Sequence, residues 1–65
     1  MFENLCAIRH NLKLSQSDLA ARCGVTQQFI QQIEKGKKYP SVKVLKRIAK
    51  ALGVTVDQLL EKKAG

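Results

Sequence analysis

A chain of 65 residues, 45% hydrophobic and 26% charged with a formal charge of +7, is long enough for one small packed domain. It sits near the lower limit at which a core holds without disulfides or metal. This composition excludes a disordered tail, and no apolar run approaches the roughly 20 residues that a helical membrane span needs. The excess of 12 Lys+Arg over 5 Asp+Glu suits a phosphate backbone or an anionic lipid surface, and it speaks to partners rather than to fold.

The opening segment MFENLCAIRHNLKL lacks the charged start, long apolar stretch and small-residue cleavage site of a signal peptide, so a cytoplasmic chain is expected. Leu5, Ile8 and Leu12 follow helical spacing and predict a first amphipathic helix from Phe2 to Asn11. Ser15 is a good N-cap, and Asp18 three residues on completes a relative of the capping box, starting a second helix that stops at Gly24. Thr26 caps a third helix running to Lys35 and ending at Gly36. Lys35 to Pro40, KGKKYP, reads as a basic loop. Ser41 caps a fourth helix with Val44, Leu45, Ile48, Ala49 and Leu52 on its buried face. Lys43, Lys46, Arg47 and Lys50 lie outside, and Gly53 ends it. Thr55 and Gln58 make a capping box for a last short helix carrying Leu59 and Leu60. The expected fold is all-α: a compact five-helix bundle in one domain spanning residues 1–65.

The stretch QSDLAARCGVTQQFIQQIE carries the chemistry. Its two predicted helices share an apolar face of Leu19, Ala20, Val25, Ile30 and Ile33. Behind Thr26 the other face is crowded with amides: Gln27, Gln28, Gln31 and Gln32. A solvated helix face gains little from such residues. A glutamine amide, however, donates and accepts at once and so matches the N6/N7 edge of adenine in the major groove. Ala20 sits where two helices cross closely, Gly24 supplies the left-handed residue of the turn, and Val25 and Ile30 lock the second helix of the pair. Together they set the angle at which the amide-bearing helix projects.

These residues make the chain resemble the phage repressor/Cro-type helix-turn-helix family. Matching positions are Leu14-Ser15-Gln16, Leu19-Ala20, Gly24-Val25-Thr26, Ile30, Ile33-Glu34, Gly36, Pro40 and Ala51-Leu52-Gly53-Val54. The resemblance implies the lambda-repressor-like fold, with the helix-turn-helix at the second and third helices. It also implies that Gln27 and Gln28 reach base edges, and that Gln32, one turn on, reaches the next base or a phosphate. Gln16 would hold a phosphate at the start of the second helix. Arg9 would pair with Glu34 as a structural, partly buried ion pair. Phe29 stands where the family often has a small residue or Tyr, leaving it to pack inward or touch a thymine methyl. The loop KGKKYP has its own length and charge. Helical spacing turns Gln31 away from the face shared by Gln28 and Gln32, so it is placed with the backbone contacts, as is Thr26.

Plainer readings compete. Lys37, Lys38 and Lys43 are assigned to phosphate contacts against general solubility, whereas Lys46, Arg47, Lys50, Lys62 and Lys63 read as a solvated face. VKVLKRIAKAL alone could pass for a membrane-surface helix, but its apolar stripe is needed for the core. Cys6 and His10 lie at i, i+4, and Cys23 could add a third ligand. Without a supporting carboxylate or further His, packing is the better account, and no metal or cofactor is expected. His10 has no nucleophile or orienting acid to make it a catalytic base, so no enzyme is expected.

The function expected is sequence-specific binding of double-stranded DNA by a small transcriptional repressor. It would act as a homodimer on a pseudo-palindromic operator, with Val54, Thr55, Val56 or the C-terminal residues at the dimer surface. The alternatives are an antitoxin or restriction-controller protein on the same scaffold, with a protein partner, and an interaction module that kept the helix-turn-helix shape without reading DNA.

Overall fold

The computed structural model describes residues 3–60; the expected helix start at Phe2, and Lys62 and Lys63, lie outside them. In chain order the helices are α1 (Glu3–Asn11), α2 (Gln16–Cys23), α3 (Gln27–Glu34), α4 (Val42–Leu52) and α5 (Val56–Leu60). No strand occurs among the described residues. The last four helices begin at hydroxyl side chains, each of which accepts one of the amide hydrogens that a helix start leaves without an intrahelical partner. Ser15 Oγ accepts from the Asp18 amide at 2.9 Å, while the Asp18 carboxylate accepts from the Ser15 amide at 3.0 Å. Thr26 Oγ1 accepts from Phe29 at 3.1 Å and Ser41 Oγ from Val44 at 3.2 Å. Thr55 and Gln58 bond reciprocally at 2.8 and 3.1 Å.

The helix ends also share one device. α1 to α4 each run into a residue in the left-handed region, at Lys13 (φ 59°), Gly24 (φ 70°), Gly36 (φ 76°) and Gly53 (φ 70°). The next amide then reaches back five residues: Leu14 to Arg9, Val25 to Ala20, Lys37 to Gln32 and Val54 to Ala49, all at 2.8–3.0 Å. This is the Schellman arrangement, which satisfies carbonyls the helix end would otherwise orphan. In α1 it is built on a lysine. The sequence offered no glycine there, and the turn went unforeseen.

Between these ends the apolar faces close on Leu5, Leu19, Ala20, Cys23, Ile30, Ile33, Leu45, Ile48, Ala49, Leu52 and Leu59. α2 packs against both α3 and α4, while α1 and α5 close the other side. Ala20, 3% exposed, is part of this core on α2, the helix that packs against both α3 and α4. Asn4 Nδ2 donates to the Gln58 carbonyl at 3.1 Å, tying α1 to α5.

Two expectations about the core change. Leu12 continues the spacing of Leu5 and Ile8, and its amide still bonds the Ile8 carbonyl at 3.1 Å, but at the end of α1 it is 48% exposed. The inward position one turn before it belongs instead to Arg9, 7% exposed. Leu60 is 40% exposed, so α5 buries Leu59 and packs Val56 against the core without it.

A left-handed conformation costs a residue with a Cβ about 1–2 kcal/mol, partly offset by the lower unfolded-state freedom of a non-glycine, about 0.5–1 kcal/mol. Lys13→Gly is therefore expected to stabilise the protein by up to about 1 kcal/mol. Gly24→Ala should do the opposite. Its Cβ would meet only an Arg47 guanidinium nitrogen at 3.8 Å, so backbone strain less the same offset sets a net cost of up to about 1 kcal/mol. Urea midpoints at unchanged m-value check both; a lower midpoint for Lys13→Gly would remove this account of the α1 end.

Candidate nucleic-acid interface

α3 is fixed at both ends before it presents anything to solvent. At its start the Thr26 hydroxyl oxygen is occupied by the Phe29 amide, which leaves the hydroxyl proton free to donate outward. Inside, Ile30 and Ile33 are fully buried.

At its end Glu34 meets Arg9. Arg9 Nε donates to Glu34 Oε2 at 2.7 Å and a terminal guanidinium nitrogen donates to Oε1 at 3.2 Å, with 8% of either side chain exposed. The other terminal nitrogen donates to the Leu14 carbonyl at 2.8 Å. The expected pairing of Arg9 with Glu34 is thus what the geometry shows, in the two-pronged form that guanidinium and carboxylate favour.

Gln16 joins this pair. Its Nε2 donates to Glu34 Oε1 at 2.9 Å, so its side chain is half-buried against the ion pair. An amide nitrogen carries two hydrogens, and the second remains for the phosphate contact assigned to Gln16. The hydrogen bond to Glu34 was missed because the residue was read only as an outward-facing helix start. The end of α1, the start of α2 and the end of α3 therefore meet at one junction.

Burial pushes the Glu34 carboxyl up. Hydrogen bonds from Arg9 and Gln16, with the Arg9 charge, outweigh it and hold the group below its ordinary value. Arg9 is raised above its own ordinary value, chiefly by the hydrogen bond to Glu34 and against desolvation.

The outward face of α3 carries the amides. Gln27, Gln28 and Gln31 are exposed and Gln32 is half-buried. Thr26, Gln28, Phe29, Gln31, Gln32 and Lys38 wall one open recess. Gln31 thus does not turn away from Gln28 and Gln32, as expected. Residues three and four apart both neighbour a helical position, one on each side, so Gln31 and Gln32 flank the line through Gln28. Gln27 is exposed outside this recess. Phe29 packs inward against the core and also lines the recess. The amides of Lys37 and Lys38 donate to the Gln32 carbonyl at 2.8 and 3.3 Å, which folds the basic loop against α3 and brings Lys38 to the recess. Lys37, Lys38 and Lys43 are exposed.

Cys6 Sγ lies 3.7 Å from an Arg9 nitrogen, and Cys23 is buried, its thiol pushed up by that burial. His10 is exposed, and no group of three or more metal-ligating side chains occurs among the described residues. No helix among them is long and apolar enough to cross a membrane.

Two capped helices packed against each other, the second presenting a polar face beside a basic loop, define a helix-turn-helix domain. A helix-turn-helix family model matches residues 7–59. The chain belongs to the phage repressor/Cro-type helix-turn-helix family of DNA-binding transcriptional regulators. An uncharacterized HTH-type transcriptional regulator, MJ0272 of Methanocaldococcus jannaschii, is 48% identical over 50 residues, 77% of this chain and 73% of its own length. The immunity repressor protein of Bacillus phage phi105 is 31% identical over 58 residues, 89% of this chain and 40% of its own length. The solved SinR protein/SinI protein complex holds a chain that superposes with a TM-score of 0.89 at 29% identity. That match covers 97% of this chain but 63% of the other, less than two thirds of its length.

Removing one partner of the buried pair leaves the other charge desolvated. Glu34→Gln is therefore expected to cost about 3 kcal/mol at neutral pH. Because Glu34 is held below its unfolded value, its contribution is present above about pH 4.3 and is lost as the pH falls through the folded value. Urea midpoints measured from neutral pH down to about pH 3 should fall more steeply for the parent chain than for Glu34→Gln; equal acid slopes would contradict the assignment.

Proposed function

We propose that this chain acts as a repressor that binds a pseudo-palindromic operator as a homodimer in the cytoplasm, without catalysis or cofactor. The observation that carries this reading is the amide face of α3, exposed at its N-terminal end and held in place by the buried junction at its C-terminal end. A rigid helix with polar tips is what major-groove reading requires. Gln27 and Gln28 contact base edges, with adenine as the matching base. Gln32, deeper in the recess, reaches the next base or a phosphate. Thr26, Gln31, Lys37, Lys38 and Lys43 hold phosphates around them, as does the free amide hydrogen of Gln16. The dimer surface includes the half-buried Val54 and Val56 with Thr55 between them, and two-fold symmetry places the α3 helices about one helical turn of DNA apart.

Selection from a randomised duplex library at two salt concentrations tests the reading. An enriched pseudo-palindrome with adenines in each half-site is expected. Gln27→Ala or Gln28→Ala should then cost about 1–3 kcal/mol and relax preference at one position of the half-site. Lys37→Ala or Lys38→Ala should weaken all sequences alike and lower the salt slope by about one each. If the glutamine variants lose the same factor on every sequence, the amides do not read bases.

A further inference from the structure

A second open groove, part apolar and part basic, lies away from the α3 recess. Leu12 and Leu14, after α1, face Ala51 and Leu52, at the end of α4, across a groove whose rim carries Arg22 of α2 and Lys50 of α4. No residue of this groove lines the recess on α3. Leu12 has the spacing of a core residue yet is 48% exposed, and Leu14 and Ala51 are half-buried. Arg22 and Lys50 are exposed, and the lining holds no carboxylate. The nearest acid on α2, Asp18, lies one turn before Arg22; its carboxylate accepts from the Ser15 amide and also feels the Arg22 charge, which leaves Lys50 as the rim cation with no acid in the lining.

We infer that this groove docks an acidic amphipathic segment of a protein partner, with leucine-sized side chains between the walls and carboxylates against Arg22 and Lys50. Charge decides the occupant. A second copy of the chain is placed by the proposed function at Val54 to Val56, and at a net +7 it offers no acidic excess to match both cations. Free phosphate would satisfy the cations but leave the leucine walls wet. A helix bearing apolar residues at i, i+3 and i+4 with flanking glutamates covers both. Since the groove and the α3 recess share no residue, the segment and DNA are held at the same time. The groove gives this regulator a place where a partner joins it on its operator without displacing it.

The test uses the full isotope-labelled chain, titrated by NMR with a synthetic peptide of leucines in helical spacing flanked by glutamates. A second peptide carries glutamine in place of each glutamate. Saturable amide shifts centred on Leu12, Leu14, Arg22 and Lys50 to Gly53 are expected, unchanged when a bound DNA duplex is present. Arg22→Glu combined with Lys50→Glu should weaken the peptide about tenfold or more. Leu12→Ser, at an exposed site, should weaken it about fivefold without altering charge. DNA affinity should stay within about threefold for Leu12→Ser, with the fold checked by circular dichroism. Shifts centred on Gln28 and Lys38, competition by DNA, equal binding of the glutamine peptide, or no saturable binding would each overturn the inference. So would binding of phosphatidylserine vesicles in place of the peptide.

Discussion

One buried junction decides how the reading helix stands on the rest of the molecule. α3 is only eight residues long, below the length at which an isolated helix holds in water, so its orientation comes from what grips it. Its apolar residues, Ile30 and Ile33, fix its depth and rotation against α2. They cannot by themselves stop it from rocking on that helix. The bidentate contact between Arg9 and Glu34, with Gln16 on the same carboxylate, pins its far end to both preceding helices. A pair of this kind gains little net stability over a well-packed apolar substitute. What it provides is direction, since two parallel hydrogen bonds accept a narrow range of angles and an apolar contact accepts many.

Most of the architecture was legible from short-range chemistry. Caps at Ser15, Thr26, Ser41 and Thr55 and stops at Gly24, Gly36 and Gly53 act within a few residues, so the chain itself carries their signals. The end of α1 was not legible in the same way. Lysine has no intrinsic preference for the left-handed region, and Lys13 adopts it because the surrounding bonds demand it. Leu12 keeps both its helical spacing and its bond to the Ile8 carbonyl, yet it stands at the end of α1 and is 48% exposed. Arg9 likewise occupies an inward position that a hydropathy pattern assigns to an apolar residue, and only the resemblance supplied its partner.

The candidate site divides along similar lines. Residue chemistry pointed to amides and lysines, and the exposed face of α3 brings Gln27, Gln28 and Gln31 to solvent with Lys38 beside them. The depth of each amide did not follow from the sequence. The basic loop folds back onto the Gln32 carbonyl, so Gln32 lies half-buried, and Gln31 shares its recess. Gln16 shows a different limit: one side chain serves both the interior and the outward surface, and a sequence reading assigns it a single task.

The repeated helix endings also bear on how the chain finds this arrangement. A helix that stops by its own local signal carries its length in the chain, so α2, α3 and α4 keep the same ends in any packed arrangement that forms them. Sliding one against another by a turn would bring no new end into register, which removes a whole class of misdocked states from the search. α1 is different. Its terminal turn is braced by the Arg9 bond to the Leu14 carbonyl, and Arg9 is itself paired with Glu34, so the boundary of the first helix is coupled to tertiary contacts that the other three ends do not need.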